Sequence, residues 1–289
     1  MKDQVSGVIT TYKRNADVVE KAIGSMLAQT YPLKEIIVVD DNFDDSEFCK
    51  PIKDMCAKYD IVRYVKQDGN KGACAARNLG IKNSTGEYIG FLDDDDEWLP
   101  EKTEKLLKVF ADRGDEKLGM TYCGGIRLVA ETGETKDYYN TDVIEEDVTF
   151  DKMLLCDRVG STSIPLIKKE VFDNVGGFWE EQPARQDYEM WLRISTKYGI
   201  SGIKDKLFVH TLHQGEQISK SSKRSYAGFN NIYRRYKKYY KKNIEAELSV
   251  IHNILANSDK RSFYDFLLRM RNEYLLIKRR LLKGRDKKV

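Results

Sequence analysis

The chain lacks several common features. No apolar run approaches the ~20 residues that a helix needs to cross a bilayer. No charged, then apolar, leader stands ahead of the first hydrophobic segment. Together these lead to the expectation of a cytoplasmic protein, soluble or peripheral on the inner face of the plasma membrane. The five cysteines, Cys49, Cys56, Cys74, Cys123 and Cys156, are odd in number and scattered. None forms a Cys-x-x-Cys pair, so a disulfide framework and a zinc finger are excluded, and reduced, mostly buried thiols are expected. No Gly-x-Gly-x-x-Gly follows the first apolar run, which argues against a dinucleotide site. No internal repeat is present.

Apolar residues make up 41% of the 289 positions, enough for a substantial core, while 33% are charged. The net charge of +3 hides a strong asymmetry. Residues 221–289 hold 19 Lys/Arg against 6 Asp/Glu, and residues 1–220 hold 30 against 40. An acidic body with a basic tail suits an anionic partner for the tail.

The apolar pattern predicts alternating strands and helices over the first hundred residues. Val5–Thr10 reads as a buried strand, residues 15–30 as an amphipathic helix with Val18, Val19, Ala22, Ile23, Met26 and Leu27 on one face, and Glu35–Asp40 as a second strand. A helix around Phe48–Lys58, a strand over Ile61–Val65, a helix over Gly72–Asn83 and a strand over Tyr88–Leu92 follow. This alternation predicts a doubly wound α/β fold with a mostly parallel sheet sandwiched by helices. Further on, Met120–Val129 and Lys136–Tyr139 flank a hairpin turn, Ser163–Ile167 is a short strand, Val171–Val175 a short helix before Gly176-Gly177, and Tyr188–Tyr198 a helix. Beyond Ser221 the pattern is helical and basic. The expected division is 1–220 as one globular domain, with halves 1–100 and 101–220, and 221–289 as a basic helical region.

The most informative stretch is Phe91-Leu92-Asp93-Asp94-Asp95-Asp96. Four adjacent carboxylates repel one another and hold together at low cost only beside a cation. Hard oxygen ligands of this kind suit Mg²⁺ or Mn²⁺, which in turn suits a diphosphate. An acidic strand-to-helix turn capping the segment at Pro100 is the simpler alternative. Sheets of the expected type bind ligands at the carboxyl ends of their strands. Three polar clusters fall at such ends: Thr10-Thr11-Tyr12, Asp40-Asp41-Asn42 and Asp93–Asp96.

Val8-Ile9-Thr10-Thr11-Tyr12, Val39-Asp40-Asp41-Asn42, Asn70-Lys71-Gly72-Ala73 with Ala76-Arg77-Asn78, Gly86-Glu87-Tyr88-Ile89, the aspartate run, Gly176-Gly177-Phe178 and Gln186-Asp187 occur in this order. In these motifs the chain resembles the family-2 glycosyltransferases of the GT-A fold, over roughly residues 4–215. The resemblance implies a UDP-sugar donor. Thr10 and Tyr12 match nucleoside-holding positions, and Asp41 matches the carboxylate that accepts the uracil N3 proton, an acceptor-only group that rejects cytosine. Asn70, Arg77, Asp93 and Asp94 fall at nucleotide-side positions. Arg77 would bind the pyrophosphate or pair with the acids. In the family's Asp-x-Asp motif, Asp95 and Asp93 match the metal positions, although the run contains two overlapping pairs.

Asp187 matches the family's catalytic base; this chain has Gln186-Asp187 where a Glu-Asp pair is usual. A base there implies inverting transfer to a hydroxyl of a glycan or lipid-linked acceptor, in bacterial surface-polysaccharide assembly. His213, before Ile218-Ser219, matches a histidine that approaches the metal, while His210 reads as a strand end. Gly160-Ser161-Thr162 resembles the acceptor-side loop. The Gln-x-x-Arg-Trp motif of processive synthases is absent, which implies one sugar per encounter. The run Arg234–Lys242 and the apolar-basic segment Phe263–Lys283 suit an anionic membrane surface, packing on the body, or self-association into a homo-oligomer; nothing in the α/β body supports a nucleic-acid partner. A sugar nucleotidyltransferase and a non-catalytic nucleotide- or glycan-binding module are the alternatives.

Overall fold

The structure, a computed structural model, describes residues 4–138, 143–212, 221–259 and 262–286. Four parallel strands form its first half: β1 (Val5–Thr11), β2 (Glu35–Asp40), β3 (Val62–Lys66) and β4 (Tyr88–Asp93), side by side in the order β3-β2-β1-β4. Ile36, Ile37, Val38 and Val39 are all fully buried, as a strand covered on both faces requires. Helices α1 (Ala16–Leu27), α2 (Cys49–Cys56) and α3 (Ala73–Asn83) supply the cover. Successive residues of β1 point to opposite faces. On the Gly7 side lies Met26 of α1, and on the Val8 side lies Gly80 of α3. The parallel register sets Thr10 opposite both Val39 and Asp93, and Thr11 opposite Asp40. The three polar strand ends therefore lie abreast.

The second half is mixed rather than parallel. Beyond β4 come β5 (Glu97–Trp98), α4 (Lys102–Arg113), β6 (Leu118–Val129), β7 (Thr135–Asp137), α5 (Phe150–Leu155), β8 (Leu166–Lys168), α6 (Lys169–Val175), α7 (Gln186–Ser195) and β9 (Gly199–Leu212). Strand β8 runs antiparallel to both β4 and β6, β6 and β9 are parallel, and β5 closes the far side antiparallel to β9. Only residues 94–96 separate β4 from β5, yet the sheet order β4-β8-β6-β9-β5 sets three strands between them. A flat sheet cannot meet both conditions, so this half curls around the aspartate run. The length of β9 and its parallel pairing with β6 exceed what periodicity indicated.

The basic region forms α8 (Ser222–Tyr240), α9 (Ile244–Ala256) and α10 (Phe263–Asp286). Ser221 and Asn243 cap the first two by accepting from Arg224 N and Ala246 N. Helix α8 buries Phe229, Ile232, Tyr233, Tyr236 and Tyr240, and α9 packs on α8, α10 and α5. No helix among the described residues is long and apolar enough to cross a membrane. Cys56, Cys74 and Cys123 are buried, Cys49 is partly so, Cys156 is exposed, and all five are free.

Gly80 is where α3 comes closest to the sheet, since a Cβ there would fall inside the Val8 side chain. Gly80→Ala is expected to cost ~1–3 kcal/mol through overpacking and to lower the melting temperature by several degrees in thermal denaturation. An unchanged melting temperature would mean that α3 sits further from β1.

Candidate active site

At the carboxyl ends of β1 and β2, two adjacent carboxylates do different work. Asp40 Oδ1 accepts from Asn42 N and Nδ2, and its Oδ2 accepts from Tyr64 Oη. Asn42 Oδ1 then accepts from Lys13 N at 2.8 Å, which ties the end of β1 to the end of β2. Asp41 organises residues 67–72. Its Oδ1 accepts from Gln67 Nε2 and Lys71 N, and its Oδ2 from Asn70 Nδ2 and Gly72 N. Two oxygens with about four lone-pair positions are thereby filled. Asn70 also donates to the Asp41 carbonyl at 2.9 Å. Gly72, at φ +89°, makes the turn that starts α3. Thr10 is partly buried on β1, and Tyr12, just beyond its end, is 40% exposed.

The four aspartates sort by burial. Asp94 and Asp96 are buried, whereas Asp93 and Asp95 are only partly so and border the cleft. Every carboxylate of the run has a partner. Asp93 accepts from Arg77 of α3 at 2.8 Å and from Thr162 at 3.3 Å. Arg14 bridges Asp94 and Asp95. Asp96 accepts from Ser163 Oγ at 2.7 Å and Thr211 N at 3.2 Å, and lies 3.0 Å from His210 Nδ1. Burial, with repulsion from Asp95, pushes Asp94 up to about 7 against the Arg14 charge. Burial also lifts Asp96 to about 6. For His210, burial pulls the ring down, but the Asp96 hydrogen bond and charge outweigh it and raise its pKa.

No group of three His, Cys, Asp or Glu side chains forms a preformed metal cage among the described residues. His213 lies outside those residues. The fit to a hard divalent ion is of the kind that uses one or two carboxylates and completes its shell with phosphate oxygens and water. Asp93 and Asp95, the two partly exposed aspartates, are the pair that would hold such an ion. Arg77 and Arg14 now hold them, so these are the guanidinium groups an arriving cation would meet.

A second group of polar residues is built around α7. Its first residues follow Arg185, which holds the left-handed backbone at φ +59° that turns the chain into the helix. Asp187 lies in the first turn, not at the cap, and its Oδ1 accepts from Tyr188 N at 2.8 Å. Met190, Trp191 and Ile194 anchor α7 in the core at full burial. Burial raises the Asp187 pKa, with Arg185 and Arg77 opposing and Asp93 adding to it. The sequence offered no sign of its neighbour Asp157, which accepts from Val159 N at 3.0 Å and Gly160 N at 2.9 Å. Burial, then repulsion from Asp187, pushes Asp157 up to about 7.

Residues 157–163 join the two groups. Gly160 O accepts from Trp191 Nε1 on α7, and Ser163 O accepts from Trp98 Nε1 on β5. Ser163 Oγ accepts from Asp93 N while donating to Asp96. Tyr138 is buried, with its ring edge-on to His210 at 5.6 Å. Its proton is held more tightly than usual by burial and by the charges of Asp187, Asp157 and Asp96. Arg14, Asp157, Ser163, His210 and Tyr138 were all missed as site residues by the sequence reading. Arg14 alone had a signal, being a cation two residues beyond Tyr12.

Helix α8 backs the segment that carries Asp187. Arg235 pairs with buried Glu189 at 3.2 Å and lies 4.8 Å over the Trp179 ring. Gln182 Nε2 donates to both Ala184 O and Gly228 O. A side chain at Gly228 would meet the Ala184 carbonyl directly. Trp179 is thus engaged from the α8 side.

The sequence profile described as Glycosyl transferase family 2 matches residues 6–135. An uncharacterized glycosyltransferase of Rickettsia felis is 34% identical over 223 residues, covering 75% of this chain and 35% of that one. A protein of Escherichia coli K12, named provisionally as the colanic acid biosynthesis glycosyl transferase WcaA, is 28% identical, covering 75% of this chain and 76% of its own. The chain spans only 27–35% of the length of three Rickettsia relatives that it matches. In fold it is similar to S. aureus TarS 1–349 crystallised with UDP-GlcNAc, at TM-score 0.60 and 17% identity, over 88% of this chain and 80% of that one.

Asp157 in the folded chain keeps its proton up to about 7, whereas its ordinary value is 3.8. The folded state therefore binds more protons between these values, and stability is lost as pH rises through them. Asp157→Asn keeps the turn's acceptor and stays neutral. It is expected to melt a few degrees above the wild type at about pH 8, with the gap narrowing as pH falls and closing only below about pH 4. A gap equal at both pH values would exclude the buried carboxylate as its cause.

Proposed function

The chain belongs to glycosyltransferase family 2, and on that premise we propose that it transfers one sugar from a UDP-sugar to a hydroxyl of a glycan or lipid-linked acceptor, with inversion. The observation that carries this reading is the parallel register, which brings the polar ends of β1, β2 and β4 abreast while residues 157–163 tie them to Asp187 on α7. The name of WcaA supports a role in bacterial cell-surface polysaccharide biosynthesis, and the UDP-GlcNAc complex of TarS supports a UDP-sugar donor.

In this reading Thr10, Tyr12 and Asp41 hold the nucleoside. A uracil N3–H enters by displacing one of the two side-chain amides on Asp41, an exchange of one N–H donor for another. Asn70 keeps its bond to the Asp41 carbonyl and holds residues 67–72 in place. Asp95 and Asp93 would hold Mn²⁺ or Mg²⁺, with His213 as a further ligand. Such an ion offsets the charge of the departing diphosphate. Arg77 and Arg14, released from the aspartates, turn their donors to the same charge.

Asp187 takes the proton of the acceptor hydroxyl. The freed oxygen bonds to the anomeric carbon as the bond from that carbon to the UDP oxygen breaks, and UDP leaves with the electron pair. One displacement inverts the anomeric centre, so an α-linked donor yields a β-linked product. Burial raises the proton affinity of Asp187, which suits a base, while the Arg185 and Arg77 charges keep it ionisable.

Three measurements test this. Asp187→Asn keeps the acceptor for Tyr188 N, so UDP affinity is expected within about twofold of wild type while transfer falls by at least ~10²-fold; full activity in this variant would sink the base assignment. Release of UDP rather than pyrophosphate, scored across UDP-, dTDP- and GDP-sugars, separates the transferase from a nucleotidyltransferase, and no turnover at all would leave a binding module. Calorimetry of UDP with and without Mn²⁺ should show a metal-dependent gain in the wild type that Asp95→Ala loses. An equal gain in the variant would remove Asp95 from the metal site.

A further inference from the structure

Helix α10 is turned the wrong way for a helix that only covers a core. Its outward side exposes Phe266 (55%), Leu267 (47%), Met270 (58%), Tyr274 (52%), Ile277 (55%), Leu281 (65%) and Leu282 (44%). Positions 266, 270, 274, 277 and 281 recur at helical spacing and form one stripe roughly 24 Å long. Its polar contacts point inward instead. Arg271 donates twice to Glu247 of α9, at 3.1 and 2.7 Å, Arg279 donates to Glu245 at 3.0 Å, and Asp265 accepts from Tyr226 of α8 at 2.9 Å. Leu268 and Leu275 are the buried apolar residues that seat the helix. The helix is thus fastened by ion pairs, two buried leucines and the partly buried Tyr264 and Leu276, while its seven other large apolar side chains among the described ones stay exposed. Burying such a stripe is favourable wherever a partner can accept it.

The charges around the stripe select the partner. Arg269, Lys278, Arg280 and Lys283 are exposed, and Glu273 is the one exposed acid among the described side chains of α10. A second copy laid on this face would bring these basic rims together with little acid to offset them. An anionic surface neutralises them while its apolar layer takes the stripe. The run Arg234–Lys242 is less suited, because Tyr233, Tyr236 and Tyr240 are buried and Arg235 is held by Glu189 and Trp179.

We propose that the outward face of α10 is a membrane-docking surface, which lays the helix along the headgroup layer of an anionic bilayer with Phe266, Met270, Tyr274, Ile277 and Leu281 inserted. Docking stands on these residues alone. Its consequence, presentation of the cleft to a lipid-borne acceptor, rests on the transferase reading.

The test is co-sedimentation of the full chain, without sugar donor, with vesicles of phosphatidylcholine alone or mixed with phosphatidylglycerol. Binding is expected to the mixed vesicles only, and to weaken with salt. Ile277→Ser with Leu281→Ser, and separately Lys278→Glu with Arg280→Glu, should each reduce binding roughly tenfold or more. All four positions are exposed, so the melting temperature and UDP release in solution should stay at wild-type levels. Absence of vesicle binding, or equal binding by the variants, overturns the proposal. So does a dimer in solution that the Ile277/Leu281 variant abolishes, since a second copy would then own the face. Loss of UDP release by the wild type in solution would instead count against the transferase reading and leave docking intact.

Discussion

Four carboxylates in succession cannot occupy one turn without compensation, and most of the site follows from how this chain compensates them. The run recruits a guanidinium from the end of β1, another from α3, an imidazole from β9 and a hydroxyl from the segment before β8. These partners come from positions 14, 77, 163 and 210, so the electrostatic demand of residues 93–96 gathers distant parts of the chain at one point. Burial sharpens that demand, because Asp94 and Asp96 lie where water cannot screen them. Asp93 and Asp95 are the two of the run that stay partly exposed.

The same gathering connects the two ends of the cleft. Ser163 bonds to Asp93 and Asp96, and Gly160, three residues earlier, receives the indole of Trp191 from the helix that carries Asp187. A short, largely buried segment therefore links the aspartate run to the helix that carries Asp187. On the far side, Arg235, Gln182 and the bare backbone of Gly228 press α8 against the same segment. The basic region is packed against the body through α8 and α9, and its free surface is displaced onto α10.

Much of the first half was legible because its signals are local. Continuous β-branched runs mark strands buried on both faces, and alternation with amphipathic helices marks a parallel sheet. The predicted strands and helices there match the observed ones to within a few residues. The second half was less legible. Strand β9 contains Lys204, Asp205 and Lys206, which break the apolar pattern, and its partner β6 lies some eighty residues earlier. The curl that sets β5 beside β9 leaves no mark in the sequence, because it arises from pairing between distant strands.

The sequence by itself determined the parallel half-sheet, the three polar strand ends and the motif order that carries the family likeness, since each depends on residues close together along the chain. Tertiary structure alone decided which aspartates face the cleft, that Asp41 is filled by residues 67–72, that Asp157 lies near Asp187, and that α10 rather than α8 keeps an open apolar face. Those outcomes depend on burial and on charges brought together from remote positions. Neither quantity exists until the sheet has curled and the helices have packed.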